Sequence, residues 1–524
     1  MRGADPPTQH RLADSGPVAS LLRNGRIYTG SARPASAMVV DNGVLAWIGD
    51  DDTADISAEQ VIDLGGALVV PGFVDAHLHT TDTGLALTGL DLAGAGSLAE
   101  ALDMVERHAR RRAGRPLIGS GWDETGWPER RPPTAAELDR ASYGGVVYLS
   151  RTDAHSAVVS SALMAAVDGL TGLAGYRPSG HLVTDAHHAA RALALSSVTA
   201  GQRAELQLTA LRHAASLGVV AVHEMAGPEI SGEQDLLALL GLAAPELPAV
   251  HAYWGELRAA AKAAELGARG AGGDLFLDGS IGSHTACMTS PYVDADTVGY
   301  LRYETAELAE HILECTALGV QAGFHAIGDA ATDQVIAAMR LAAERDPRVT
   351  RAGHRVEHAE LLNDPAAFAE LGLTASVQPA FDATWGGPDG MYAQRLGTQR
   401  AARLNPLAAL AAAGVPLAFG SDSPVTPVGP WAAVRAASRP RFAEHALSPA
   451  AALAAHCRGG WRAIGADADG VLAPGRPASY AVFEAGEPGR PDLGLPDLGP
   501  DATLPRCLRT VRQAVVLYDS GELP

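Results

Sequence analysis

Apolar and polar positions change rhythm along this chain. Residues 17–70 hold short apolar runs, Val18–Leu22, Arg26–Tyr28, Ala37–Val40 and Val44–Ile48, punctuated at Asn24-Gly25, Asn42-Gly43 and Gly49-Asp50. Such runs between turn residues predict strands. Residues 471–522 repeat the pattern, with Ser479–Phe483 and Arg509–Tyr518 strand-like around a Gly- and Pro-rich stretch. Two β-rich ends flanking a different middle predict one composite β domain, 17–70 with 471–522.

The middle, 71–470, alternates helix patterns with short apolar strands. Ala204–Leu217 leads into Val219–His223, Ala306–Leu318 into Val320–His325, and Ala330–Glu344 into His354–His358. Asp364–Leu371 then leads into Leu373–Gln378, and Asn405–Ala413 into Pro416–Gly420. Repeated units of this kind predict a parallel sheet, doubly wound or closed into a barrel. Gly218, Gly319, Gly372 and Gly414 stand between helix and strand, where helix C-caps fall. Residues 85–200 break the rhythm with the turn-rich Gly119–Pro133 and the helical Leu98–Arg112, and read as an insertion after the first strand of the middle.

The chain's 524 residues allow about three to four domain-sized units. Its 40 Lys and Arg against 60 Asp and Glu give a net charge of −20, which argues against nucleic acid or an anionic membrane surface as partner. The four cysteines are scattered without a C-x-x-C pair, so neither a cysteine zinc site nor a disulfide scaffold is expected. Residues 1–16 are polar and lack an apolar run after a basic start, so no signal peptide is expected. No uninterrupted apolar stretch reaches the ~18 residues of a membrane span. The expected location is the cytoplasm, the expected partner a small molecule, with a homo-oligomer left open.

The chemistry collects where the predicted strands end. In parallel α/β folds the ligand site lies at the C-terminal strand ends. In order, those ends read Asp75-Ala76-His77-Leu78-His79, His223-Glu224, His325, Glu357-His358, Gln378 and Ser421-Asp422. His77 and His79 are two apart, so on a strand both face one way and can share a metal. A catalytic metal takes about three protein ligands and keeps an open position. His325 and Asp422 complete such a set if the strands close. Zinc suits imidazole best, although the ligands also admit iron, copper or nickel. Asp422 would accept a proton from the metal's water and return it to the leaving group. His223, alone at its strand end, reads as a core or capping residue.

Pro71-Gly72-Phe73-Val74-Asp75-Ala76-His77-Leu78-His79 resembles the opening motif of the amidohydrolase superfamily. Gly121-Trp122-Asp123-Glu124, Arg151-Thr152-Asp153-Ala154-His155 and Asp278-Gly279-Ser280-Ile281-Gly282-Ser283 are similar to its amidohydrolase family 3 branch, which includes N-substituted formamide deformylases. His325-Ala326-Ile327-Gly328-Asp329, Arg355-Val356-Glu357-His358-Ala359 and Gly420-Ser421-Asp422-Ser423-Pro424-Val425 match it too. The resemblance implies a distorted (β/α)8 TIM barrel, an insertion after barrel strand 1, and a composite β-sandwich from both termini. It implies His77, His79 and Asp422 at one metal position. His325 and His358 would hold a second metal or serve the first metal and its water. It also implies hydrolysis of a non-peptide C–N bond (amide, formamide or cyclic amide). A lyase or isomerase on the same site, or a non-catalytic binding protein, are the alternatives.

The chain departs from the branch at one position. Many members carry a lysine there, carboxylated by CO2 and bridging two metals; this chain has Asp274. Its one lysine, Lys262, lies in an alanine-rich helical run and reads as a solvated helix face. No carboxylated lysine is expected. The Asp274 oxygens sit about 4–5 Å closer to the backbone than a carbamate's, so without a local shift of its strand Asp274 cannot reach the metal. One metal is therefore favoured over an Asp274-bridged or otherwise closely spaced pair, held by His77, His79, His325 and Asp422, with His358 beside the attacking water and Asp274 left as a second-metal or outer residue. Asp422 and His358 are the expected catalytic pair. Trp122, Asp123, His155, Asp278, His284 and Gln378 are the expected substrate-pocket residues, with Trp127, Phe381 and Trp385 as further candidates. His284 stands where the branch often has arginine, and a neutral imidazole cannot clamp a carboxylate as a guanidinium does.

Overall fold

Eight parallel strands form the centre of the molecule: β1 (Phe73–Leu78), β2 (Val219–Ala226), β3 (Ala249–Trp254), β4 (Gly270–Ala271), β5 (Gln321–Ala326), β6 (Arg355–His358), β7 (Thr374–Val377) and β8 (Leu417–Phe419). Each pairs in parallel with the next. The ring closes just past β8, where Asp422 N–H donates to the His77 carbonyl at 2.8 Å and His79 N–H to the Ser423 carbonyl at 3.0 Å. The fold is thus a TIM barrel. This computed structural model describes residues 19–523 apart from 32, 54–57, 113, 115, 487 and 491–493. The polar stretch 1–16 and the first two positions of the expected sandwich, 17 and 18, lie outside the described residues.

Strands β1, β2, β6 and β7 are buried along their whole length, which is why they read as apolar runs and not as alternating ones. Phe73, Val222, Phe324, Val356 and Phe419 pack against Leu211, Leu308, Ile312, Val335 and Val434 of the surrounding helices. The barrel interior is polar. Arg355 is fully buried there, its guanidinium 4.4 Å from the Tyr253 ring centre. It donates to both Glu357 oxygens and to the Ala76 carbonyl. His223 lies beside it, Nδ1 3.1 Å from the Arg355 guanidinium, so the core reading of His223 holds.

The expected αβ units all form, and Gly319 caps its helix with φ +70. Two barrel strands escaped the pattern. β4 has only two residues, and β3 carries histidine among its half-buried positions.

The terminal segments build two facing sheets. One orders strands 44–49, 37–41, 20–23 and 60–63; the other orders 26–27, 68–71, 480–484, 506–512 and 515–519. Leu22, Met38, Val40, Val69, Tyr480 and Val482 fill the space between them. The run Arg509–Tyr518, expected as one strand, is a hairpin. Gln513 and Ala514 turn it with φ +49 and +65, a conformation that neither residue type announces. After β1 and the helix Thr80–Thr88, the chain enters a separate five-stranded sheet with its own apolar clusters. It returns through the helix Ala200–Ser216, which packs on Thr80–Thr88. Among the described residues no helix is long and apolar enough to cross a membrane.

Candidate metal centre

Strand β1 delivers His77 to the barrel mouth, fully buried, and His79 follows just past its end. His77 Nδ1 bonds Glu357 Oε2 at 3.0 Å, and His79 Nδ1 bonds the Met225 carbonyl at 3.0 Å. His358, at the end of β6, has Nδ1 2.9 Å from Gln378 Oε1. In all three rings an acceptor claims Nδ1, which leaves the Nε2 lone pair free for a metal. Asp422 and His358 adopt left-handed backbone, φ +55 and +69, where ordinary residues are strained.

Two carboxylates meet these imidazoles. Asp422 Oδ1 lies 3.3 Å from His77 Nε2 and 3.2 Å from His79 Nε2. Asp274 Oδ2 lies 3.3 and 3.2 Å from the same two atoms, and its Oδ1 is 3.6 Å from His358 Nε2. Asp274 therefore reaches the centre, and the strand shift on which this depended is present. β4 pairs Ala271 with Ala322 of β5, and pairing resumes at Phe276 with His325. The β4 side spends five residues where β5 spends three, a two-residue bulge. Gly272 and Gly273 make it, with φ +146 and +74. The backbones touch there: a Cβ on Gly272 would stand 2.2 Å from Gly323 N.

The donors suit a divalent metal. His77 Nε2 and Asp274 Oδ1 are buried and make no hydrogen bond, an arrangement that costs about 1–3 kcal/mol per polar atom unless a ligand uses it. His77, His358 and Asp422, and likewise His77, His79 and Asp274, bring their ligand atoms within 4.8 Å of one another. Burial alone would lower the His79 pKa, yet Asp274 and Asp422 push it up to about 10. Burial would raise the Asp422 carboxyl, but His77 and His79 hold it well below the usual carboxylate range. Concentrated negative charge opposite buried imidazoles is the field a cation site needs.

The remaining expectations divide. His325 stands one step outside the cluster, with Nε2 3.1 Å from His155 Nε2 and Nδ1 3.3 Å from Asp278 Oδ1. It belongs to neither ligand triad found among the described residues. Strand-end position alone did not reveal that His155, from the insertion, would claim its ring. His155 lines the cavity above the centre, and burial together with facing His325 pushes its pKa down to about 3.

The other five expected pocket residues lie off that cavity. Asp278 is buried beneath it, accepting backbone N–H from Cys287, Ile327 and Gly328 at 2.8–3.1 Å. Trp122 is fully buried in the insertion's apolar cluster with Trp127, its indole donating to the Leu149 carbonyl. Asp123 pairs with Arg151 at 2.9 Å, and His284 with Asp294 at 2.9 Å. Gln378 holds His358 from behind. Phe381 and Trp385 line a smaller adjoining cavity. Lys262 pairs with Glu256 at 3.0 Å on its helix, in neither triad.

The cavity, about 70 Å³, is walled largely by the insertion through Ile118, Tyr148, His188, Arg191 and Leu195. Arg191 is ion-paired with Asp82. No motif announced these residues. Glu357 was also missed as the partner of His77, although it stands beside His358 in the sequence.

A closed parallel barrel that gathers imidazoles and carboxylates at its C-terminal mouth belongs to the class of metal-dependent hydrolase barrels. Within that class, the chain belongs to the amidohydrolase family, whose model matches residues 60–496. Protein LONG AFTER FAR-RED 3 of Arabidopsis thaliana is 28% identical over 90% of this chain and 88% of its own. N-substituted formamide deformylase of Arthrobacter pascens is 26% identical over 79% of this chain and 83% of its own. A solved structure, an uncharacterized metal-dependent hydrolase from Pyrococcus horikoshii OT3, matches with a TM-score of 0.70 at 28% identity. It covers 89% of this chain and 98% of that one.

Proposed function

We propose that this protein hydrolyses a non-peptide C–N bond, in an amide, formamide or cyclic amide, of a small uncharged molecule. The observation that carries this reading is the meeting of His77 with His358 and Asp422, and with His79 and Asp274, at a cavity lined by His79, His358, Asp274 and Asp422. The relationship to an N-substituted formamide deformylase supports the choice of bond. His77, His79 and Asp422 would hold a single divalent metal, and zinc fits imidazole and carboxylate donors. Such a metal, when bound, would supply Lewis acidity to the scissile carbonyl and to the attacking water. Asp422 accepts the proton from that water and passes it to the leaving nitrogen. His358, fixed by Gln378, would orient the water. The apolar wall keeps bulk water from the reacting atoms.

The test is hydrolysis of a panel of neutral amides, formamides and cyclic amides by metal-loaded protein and by Asp422→Asn. Turnover in the parent and none in the variant, with the fold retained by circular dichroism, is expected. Near-normal turnover in Asp422→Asn overturns the assignment, and a metal-loaded parent that cleaves nothing in the panel overturns the function. Nothing in the site favours the lyase, isomerase or non-catalytic readings.

A further inference from the structure

We propose that the smaller cavity beside the centre receives the leaving nitrogen, so that the bond cleaved is that of a primary amide with an apolar acyl group. This deepens the proposed function and rests on it. The smaller cavity, about 30 Å³, adjoins the larger one at His155, His325, His358 and Asp422, which line both. A scissile carbonyl held at that junction has room for one substituent on each side. A water needs about 10–15 Å³, so the smaller side takes about two heavy atoms at most, the size of ammonia or methylamine. The larger side, about 70 Å³, carries Leu85, Ile118 and Leu195.

The walls of the smaller cavity decide which substituent enters it. Glu360 stands two residues past His358, and Tyr392 comes from the helix Met391–Leu396; both line the cavity. Both are buried, and neither Glu360 Oε2 nor the Tyr392 hydroxyl makes a hydrogen bond within the protein. The two groups adjoin, but not at a geometry that bonds them to each other. A buried acceptor left in this state is costly unless a donor reaches it. The leaving nitrogen brings N–H donors, and an apolar acyl chain brings none. Phe381 stacks on His358 with ring centres 6.0 Å apart and meets Trp385 at 5.1 Å, and Trp385 lies 6.2 Å from Tyr392. Aromatic rings beside a carboxyl group suit an amine that gains a proton as it leaves. Among the described residues no arginine or lysine lines this cavity, so the acid product finds no counter-ion there. In the reaction the water oxygen bonds the carbonyl carbon and the C–N bond breaks. The nitrogen takes the proton that Asp422 carries and departs as ammonia towards Glu360.

The experiment gives metal-loaded protein two isomers that differ only in which side of the amide is bulky, phenylacetamide and N-benzylformamide. A kcat/KM at least about tenfold higher for phenylacetamide is expected, because benzylamine is too large for the smaller cavity. Calorimetry reads the same cavity without turnover. Methylammonium should bind and tetramethylammonium should not, and Glu360→Leu should weaken methylammonium by about tenfold or more. Methylammonium binding unmoved by Glu360→Leu overturns the proposal and leaves Glu360 beside water only. Equal rates on the two isomers overturn it as well. If Glu360→Leu does not fold, the isomer preference and the two ammonium ions on the parent still decide. Preferred cleavage of N-benzylformamide removes this inference and keeps the proposed function. Methylammonium bound through Glu360, with no panel substrate cleaved, removes the proposed function and keeps the amine site.

Discussion

The floor and the wall of the cavity are built by different rules. The floor is made of strand ends, and each ring there is aimed by a neighbour: Glu357 on His77, the Met225 carbonyl on His79, Gln378 on His358. The wall is made of side chains from the insertion, among them Ile118, Tyr148 and Leu195, in an apolar lining whose one arginine is already paired. A network of ion pairs ties that insertion down. Arg151 bonds Asp123, Glu124 and Asp153 at 2.8–2.9 Å, and Glu124 continues to Arg395 at 2.8 Å. The contrast assigns chemistry to the floor and substrate fit to the wall. Floor variants should then change kcat or metal content, and wall variants KM or stability.

The largest expected effect is on the floor. Asp422→Asn removes a proton acceptor and a metal ligand together, so kcat should fall by about 10³-fold or more with the fold retained. A KM effect with kcat preserved would erase the contrast. Next comes the wall's anchor. Arg151 is buried against three acids, and removing one partner of such a set costs about 3–5 kcal/mol. Arg151→Met should lower the melting temperature by several degrees while leaving metal content at the parental value.

This anchor also gives the wall a pH dependence. Burial would raise the Asp153 carboxyl, but Arg151 and His155 with the Ser280 and Ser283 hydroxyls hold it down at about 2. A carboxylate depressed in the folded state contributes stability above its unfolded pKa of about 4, and that contribution is lost as pH falls towards about 2. Denaturant midpoints of the parent should fall through that window, and those of Asp153→Asn should be lower at pH 7 and fall less. An Asp153→Asn curve parallel to the parent's would count against the anchor.

Glu357→Gln tests the aiming of the floor. Zinc affinity should drop about 10–100-fold, since an amide cannot accept from His77 Nδ1–H and satisfy Arg355 as a carboxylate does. Unchanged affinity would mean that the barrel alone orients His77.

The same contrast explains what the sequence disclosed. Strand geometry puts residues two apart on one face, so His77 and His79 were legible together, and Asp422 stood at a strand end like them. Asp274 was legible only as a departure. Its reach depends on a two-residue bulge at Gly272 and Gly273, and a Gly-Gly pair does not say which way a strand will bulge. His325 lines the same cavity but belongs to neither ligand triad found among the described residues, and its ring meets His155, 170 residues away on the insertion. The wall was illegible because apolar residues that line a cavity obey the same period as those that fill a core. Trp122 and Trp127 show the converse: they were read towards the pocket and belong to the core.

The smallest effect should come from the wall itself. Leu195 lines the cavity without touching the metal cluster. Leu195→Ala removes contact equivalent to roughly one to three kcal/mol of apolar fit, shared equally by bound substrate and transition state. KM for a substrate with an apolar substituent should rise about five- to 150-fold with kcat unchanged, while KM for the smallest substrate cleaved should hardly move. If instead kcat falls and KM stays, the wall contributes to the transition state as the floor does. The insertion would then be catalytic machinery and not a specificity surface.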